Sequence, residues 1–349
     1  MNEITIANYK IGINHPTFII AELSANHNQD FDIAVKTIHA MKKAGADAVK
    51  IQTYTADTIT LNCDNDYFKI KGTIWEGKTL HELYQEAYTP WGWQAKLQKV
   101  ATDIGLVFFS SPFDFSAVDF LENLNVPAYK IASFEINDIP LIRYIAKKNK
   151  PIIFSTGIAT LEDINLALNT CRKVGNEQIA LLKCISEYPA NYENMNLNTI
   201  PDYYKKFDTV IGLSDHSIGS IAPVVAVSLG ARIVEKHFIL NKEVGGPDAS
   251  FSLTPDEFKK MVVDIRNTEK ALGRVSYDLS DSAKLSKGFS RSLFVSNAIK
   301  KGEQLSPDNI KSVRPANGLA PQYYDDVLGK IAKLDIPMGT PLSWDQLEH

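Results

Sequence analysis

At 349 residues, 44% hydrophobic and 22% charged, the chain is long enough for one large domain plus a small one, and apolar enough for a substantial core, which excludes extended disorder. A formal net charge of -4 gives no electrostatic case for a general nucleic-acid or anionic-membrane binder, while leaving room for a local basic pocket that holds a small anion. Cys63, Cys171 and Cys184 form no close metal or redox pair, no run is apolar enough to span a bilayer, and MNEITIANYKIG carries no export signal, so the chain is expected in the cytoplasm.

In chain order, short apolar or β-branched runs alternate with longer helical patterns. The candidate strands are FIIAEL from Phe18, AVKIQ from Ala48, LVFFSS from Leu106, AYKIAS from Ala128, PIIFST from Pro151, QIALLKC from Gln178, TVIGLSDH from Thr209 and RIVEKHF from Arg232. Between them lie amphipathic segments such as FDIAVKTIHAMKKAG, SAVDFLENL, DIPLIRYIAKK, LEDINLALNTCRKVG and SIAPVVAVSLG, and a last helical pattern runs from Thr254 to Leu272. Eight such units fit a (β/α)8 TIM barrel over residues 1–273 better than an open doubly wound sheet, which has fewer strands. The stretch from Thr53 to Thr89 is long for a βα loop and predicts a rim excursion or lid. After Gly273 the polar VSYDLSDSAKLSKGFS marks a linker over 274–287, and SLFVSNAI, KKGEQL, IKSVRP and IPMGTPL predict a small β-rich domain over 288–349. The final Leu347, Glu348 and His349 look like the start of a tag and carry no mechanistic weight.

In a barrel the C-terminal strand ends share one mouth, and this chain concentrates polar residues there. Glu22, Asn26 and His27 follow the first candidate strand, Lys50 and Gln52 end the second, and Ser110, Ser111 and Asp114 follow the third. Lys130, Ser133 and Glu135 mark the fourth, Ser155 and Thr156 the fifth, and Lys183, Ser186 and Tyr188 the sixth. Ser214, Asp215 and His216, then Glu235, Lys236 and His237, complete the ring. A lysine inside an apolar strand needs a counter-charge, which for Lys50 and Lys130 is either a phosphate or carboxylate ligand or a neighbouring glutamate. The serines either cap helices or donate to phosphate oxygens. His216 and His237, beside Asp215, Glu235 and Asp248, are either satisfied polar residues or a pair of imidazole ligands for a divalent metal. GGPD, Gly245 to Asp248, offers a flexible loop ending in a carboxylate, and no nucleotide-binding phosphate loop is present.

At IIAELSANHN, ADAVKIQTYTADTI, GKTLHELYQEAYTPW, FFSSPFD, AYKIASFEI, STGIA, LLKCISEYPA, GLSDHSIG, EKHFIL, GGPDASFSL, RSLF and SVRPANGL the sequence resembles the bacterial sialic acid synthase family, most closely its pseudaminic acid synthase branch. The resemblance implies a barrel followed by an antifreeze-like SAF domain, working as a domain-swapped homodimer in which that domain covers the partner's barrel mouth. It implies condensation of phosphoenolpyruvate with an acetamido-deoxy sugar, assisted by a divalent metal, most often Mn2+, on His216 and His237. Lys50, Lys130, Ser133, Ser155, Ser186 and Ser214 would serve phosphoenolpyruvate, Gln52, Tyr188, Asp248 and Arg314 would serve the sugar, and Ser110 is expected among the substrate-binding residues. Glu22, Glu135, Glu235 and Asp248 are the implied catalytic or orienting carboxylates. ELSANHN, SSPFD and ASFE depart from the ordinary sialic acid synthases and point to 2,4-diacetamido-2,4,6-trideoxy-L-altrose in place of N-acetylmannosamine. Tyr67, Phe68 and Trp75 of the excursion suit a deoxy-sugar's methyl group. The competing expectations are a sialic or legionaminic precursor, a Schiff-base aldolase using Lys130 or Lys183, and a non-catalytic sugar-binding barrel.

Overall fold

Each of the eight apolar runs forms a parallel strand, and together they close into a barrel in the computed structural model, which describes residues 3–348. A short antiparallel hairpin, β1 (Ile4–Ile6) with β2 (Tyr9–Ile11), precedes them and was not anticipated from the sequence. The barrel strands are β3 (Phe18–Glu22), β4 (Ala48–Thr53), β5 (Val107–Pro112), β6 (Tyr129–Ile131), β7 (Ile152–Ser155), β8 (Ile179–Cys184), β9 (Val210–Asp215) and β10 (Ile233–His237). Each pairs with the next in sequence, and β10 closes the ring on β3. They read as nearly unbroken apolar runs because one face packs the barrel interior and the other packs the helical layer.

Local chemistry fixes where the helices begin and end. For the helix Phe31–Ala44, the Asp30 carboxylate accepts from Ile33 N at 3.0 Å, and the buried Ala34, Thr37, Ile38 and Met41 recur at helical spacing. It stops at Gly45, whose φ of +95° favours glycine and whose missing Cβ leaves room for Val262. The helix Leu161–Lys173 opens on a reciprocal cap between Thr160 and Asp163. Among the described residues, no helix is long and apolar enough to cross a membrane.

The chain divides into two units after Gly273. The second has its own core, with Leu293, Val295, Ile299, Leu305, Ile310 and Leu342 all buried. It contains the antiparallel pair β11 (Ser292–Val295) and β12 (Ile310–Val313), and isolated bridges such as Ile299 to Ile336 extend the pairing. A helix, Asp281–Lys287, lies within the stretch read as a linker. The tag-like reading of the last three residues fails for Leu347, which is buried in the second unit's core and bridges Ala332, and for Glu348, whose N–H donates to the Ile331 carbonyl, while His349 lies outside the described residues, as do Met1 and Asn2.

Candidate active site

Strand alternation sends every second side chain into the barrel, and register decides which of them meet. Glu22 stands opposite Lys50 across β3 and β4, while Glu235 stands opposite Ser214 across β10 and β9. The Lys50 ammonium therefore sits 2.5 Å from Glu22 Oε2 and 3.4 Å from Glu235 Oε1, and Lys130 Nζ approaches the same Glu235 oxygen at 3.7 Å. All four groups are buried. Two ammonium groups and two carboxylates thus form one shared network at the base of the mouth.

Burial and neighbours push these groups apart. Burial raises the Glu22 carboxyl to about 7 despite the attraction of Lys50. The same burial acts on Glu235, but Lys130 and Lys50 outweigh it and hold this carboxyl below its ordinary value. Burial lowers the proton affinity of Lys130.

A cavity of about 380 Å³ opens above the network. Lys130 Nζ donates to Ser155 Oγ at 2.6 Å, and Gly157 N donates to Ser133 Oγ at 3.0 Å. A Cβ on Gly157 would stand 2.8 Å from Ser133 Oγ and closer still to Ser186 Oγ, so glycine keeps that corner open. Ser133, Ser155, Ser186 and Ser214 line the cavity together with Lys50 and Lys130, whose counter-charges here are Glu22 and Glu235, producing a hydroxyl-rich cradle of donors suited to a phosphate or carboxylate. Glu135 also lines it, and burial raises this carboxyl to about 7. Among the described residues, Glu135 Oε2 and Glu235 Oε2 have no hydrogen-bond partner.

His216 and His237 face each other with ring centroids 5.4 Å apart. His216 Nδ1 lies 2.8 Å from the Ile185 carbonyl oxygen, which can only accept, so Nδ1 carries a proton; burial opposes charging this ring, but Cys184 and that carbonyl outweigh it and raise its proton affinity. Burial, reinforced by His216 and the lysines, holds His237 neutral well below its ordinary range. Asp248 Oδ2 stands 3.7 Å from His237 Nδ1, and Tyr188 packs against His216 with centroids 4.4 Å apart. Tyr188 in turn packs against Trp75. Gln52 lines the same space, with Nε2 donating to Ser24 Oγ at 3.0 Å.

Glu22 does not itself line the cavity, because it lies beneath Lys50 and accepts from Ser24 N at 3.1 Å. Ser110 is not brought to the cavity either. Alternation turns it outward, where Oγ donates to the Ile51 carbonyl at 3.0 Å and meets Thr53 Oγ1 at 2.6 Å, whereas Ser111 faces Lys50 at 3.5 Å. Asp215 is likewise turned out of the barrel and bound to Lys236 at 2.6 Å, so neither belongs to the metal-facing set. His27 is a core residue rather than a ligand. Its Nε2 meets Thr89 Oγ1 at 3.2 Å, its ring packs edge-on against Trp93, and burial lowers its proton affinity to about 4. Lys183 is absent from the cavity wall and donates to the Cys184 carbonyl at 3.3 Å. Within the small unit, Arg314 follows β12 and is exposed.

The sequence reading missed Ser24, Tyr54, Tyr84 and Cys184 as wall residues. Ser24 lies two residues beyond Glu22, a spacing that could have identified it, whereas Tyr84 arrives on a helix of the excursion and leaves no strand-period signal. Of the three excursion aromatics, Trp75 lines the cavity, Phe68 does not, and Tyr67 is 91% exposed.

The NeuB family model matches residues 37–277 and the SAF domain model residues 290–348. The chain is 50% identical to the pseudaminic acid synthase of Campylobacter jejuni over 93% of its own length and 95% of that protein's. It is 47% identical to the pseudaminic acid synthase of Helicobacter pylori, covering 96% and 98% of the two chains. The crystal structure of the spore coat polysaccharide biosynthesis protein SpsE of Bacillus subtilis superposes with a TM-score of 0.69 at 36% identity, covering 100% of this chain and 99% of that one. The chain therefore belongs to the sialic-acid-synthase (NeuB) family, with a (β/α)8 barrel followed by a SAF domain.

Proposed function

We propose that the protein is a pseudaminic acid synthase, joining phosphoenolpyruvate to 2,4-diacetamido-2,4,6-trideoxy-L-altrose with water to give pseudaminic acid and phosphate. The observation that carries this reading is the near-full-length identity of 47–50% to synthases of that name. The cradle of Lys50, Lys130 and four serines supports it, since phosphoenolpyruvate brings both a phosphate and a carboxylate to a site where charge-assisted bonds are strongest.

In this reading the cradle holds phosphoenolpyruvate with C3 toward the open-chain sugar's C1. A bond forms between those carbons, the aldehyde oxygen takes a proton, water adds at C2, and phosphate leaves by C–O cleavage. Lys50, Lys130, Ser133, Ser155, Ser186 and Ser214 stabilise the charge collected by the departing phosphate. Glu135, with its carboxyl near neutrality, is matched to moving a proton at working pH, and Glu235 stays ionised to orient the lysines. Glu22 fixes Lys50 from below, while Gln52, Tyr188 and Asp248 receive sugar hydroxyl and amide groups.

Among the described residues, no three His, Cys, Asp or Glu side chains converge as a ready-made metal cage. The pair of imidazoles nevertheless fits a divalent ion: His216 directs Nδ1 to the Ile185 carbonyl, so that Nε2 is the nitrogen a metal would take in place of a proton, and the buried His237 Nδ1 lacks a partner among the described residues. His216 and His237 would hold the ion, Mn2+ in this reading, whose chemistry when bound is Lewis-acid polarisation of the sugar aldehyde. The reading extends to a cytoplasmic homodimer in which the SAF domain of one copy covers the barrel mouth of the other and brings Arg314 to the sugar's N-acyl group.

An anaerobic phosphate-release assay with phosphoenolpyruvate and Mn2+, run in parallel with the altrose derivative and N-acetylmannosamine, tests the reading. Phosphate and a nonulosonic acid, verified by mass spectrometry, are expected with the altrose derivative. Preference for N-acetylmannosamine would overturn it.

A further inference from the structure

The cavity is chemically two-sided. Its base carries the lysines, glutamates and serines, whereas the rim excursion and the loops beside it supply a mainly apolar wall of Ile59, Trp75, Leu83, Ala87 and Phe113, with the hydroxyls of Tyr54, Thr73 and Tyr84 among them. Trp75 occupies a particular place among these. Its indole N–H donates to the Pro247 carbonyl at 2.9 Å, tying the excursion to the loop that carries Asp248. With that donor committed, the ring presents only carbon to the cavity. Trp75 also lies two ring contacts from the histidine pair: its centroid is 5.6 Å from that of Tyr188, which is 4.4 Å from that of His216. Trp75 thus stands on the side of the cavity that the far carbons of a sugar would meet if its aldehyde lay at the histidines and its chain ran toward the excursion.

From this juxtaposition we propose that Trp75 is a specificity-determining residue, selecting a sugar that carries a methyl group, rather than a hydroxymethyl group, at the carbon farthest from the aldehyde. The proposal rests on the synthase reading above and refines its substrate class. A methyl placed on the indole leaves no polar group stranded. A hydroxyl set against the indole face loses its water without gaining a partner from that ring, whose one donor is already held by Pro247, although Thr73, Tyr54 and Tyr84 carry hydroxyls elsewhere on the wall. Discrimination in such a pocket is moderate, in the range of about 10-fold to 100-fold.

The test compares kcat/KM for 2,4-diacetamido-2,4,6-trideoxy-L-altrose with that for its 6-hydroxy counterpart in the wild-type chain, Trp75→Ala, Trp75→His and Trp75→Phe. The alanine and histidine variants are expected to lower the deoxy-to-hydroxy ratio about tenfold, with the KM for phosphoenolpyruvate held within about twofold; the phenylalanine variant, which keeps an apolar ring, should stay within about threefold of wild type. A purely structural role would reduce both sugars equally and leave the ratio unmoved. Wild-type ratios in W75A and W75H, or a W75F ratio as low as that of W75A, would overturn the assignment of Trp75 while leaving the synthase reading intact. A wild-type chain that turns over neither altrose derivative would overturn both.

Discussion

Glu135 shows how a single half-buried carboxyl connects stability to chemistry. It lies just beyond the end of β6, in a short 3-10 turn over Ser133–Glu135, and its Oε2 has no partner among the described residues. Burial raises its pKa from 4.5 to about 7, with Lys130 offsetting only part of the cost. The sign follows from linkage: between those values the folded chain keeps a proton that the unfolded chain releases, so stability falls as pH rises through this window and the loss is complete above about 7. At about 1.36 kcal/mol per unit, the loss amounts to at most about 3 kcal/mol. Glu135→Gln removes the titration, so urea unfolding at pH 5 and pH 8 should show the wild type losing stability that the variant keeps. Parallel pH dependence in the two proteins would refute this, and the same variant should turn over slowly because its amide cannot relay the proton.

Among the elements, the barrel strands were the most legible part of the sequence. Strands buried on both faces must be almost wholly apolar, so charged residues inside them, among them Glu22, Lys50, Lys130 and Glu235, stand out in the amino-acid sequence alone. What local pattern could not supply was direction. Ser110 and Ser111 are adjacent and chemically identical, yet the pleat sends one to Thr53 and the other to Lys50. His27 and Asp215 were equally ambiguous, because whether a polar residue at a strand end faces the mouth depends on partners far away in sequence. The β1–β2 hairpin is formed by three-residue strands, too short to show a period. Gly212, in the middle of β9, is a further constraint hidden from the apolar pattern. A Cβ there would stand 2.5 Å from the Ile233 carbonyl oxygen and 2.6 Å from Leu182 Cδ2, and the first of these belongs to the neighbouring strand's backbone and cannot swing away. Gly212→Ala should therefore cost about 1–3 kcal/mol, read as a lower Tm by calorimetry. It should also weaken phosphoenolpyruvate binding, since Ser214 lies on the same strand. An unchanged Tm would mean that β10 yields more readily than a packed barrel wall allows.

At the scale of the whole molecule, the two units divide the work by chemistry. The barrel unit contains both lysines, the serine cradle and the histidine pair, so the residues proposed to hold phosphoenolpyruvate all lie before Gly273. The second unit has its own apolar core around Leu293, Ile310 and Leu342, and its exposed Arg314 extends beyond β12 where no packing role claims it. A guanidinium held on a separately folded unit suits recognition of the amide carbonyl of an N-acyl sugar, because its planar array of donors does not depend on the barrel's internal network. Arg314→Ala should accordingly raise the KM for the altrose derivative about tenfold, the cost of one charge-assisted hydrogen bond of about 1.5 kcal/mol. Phosphoenolpyruvate binding, measured separately by calorimetry, should remain unchanged, as should the thermal transition of the small unit. Equal loss of affinity for both substrates would place Arg314 in the folding of its own unit and not in sugar recognition.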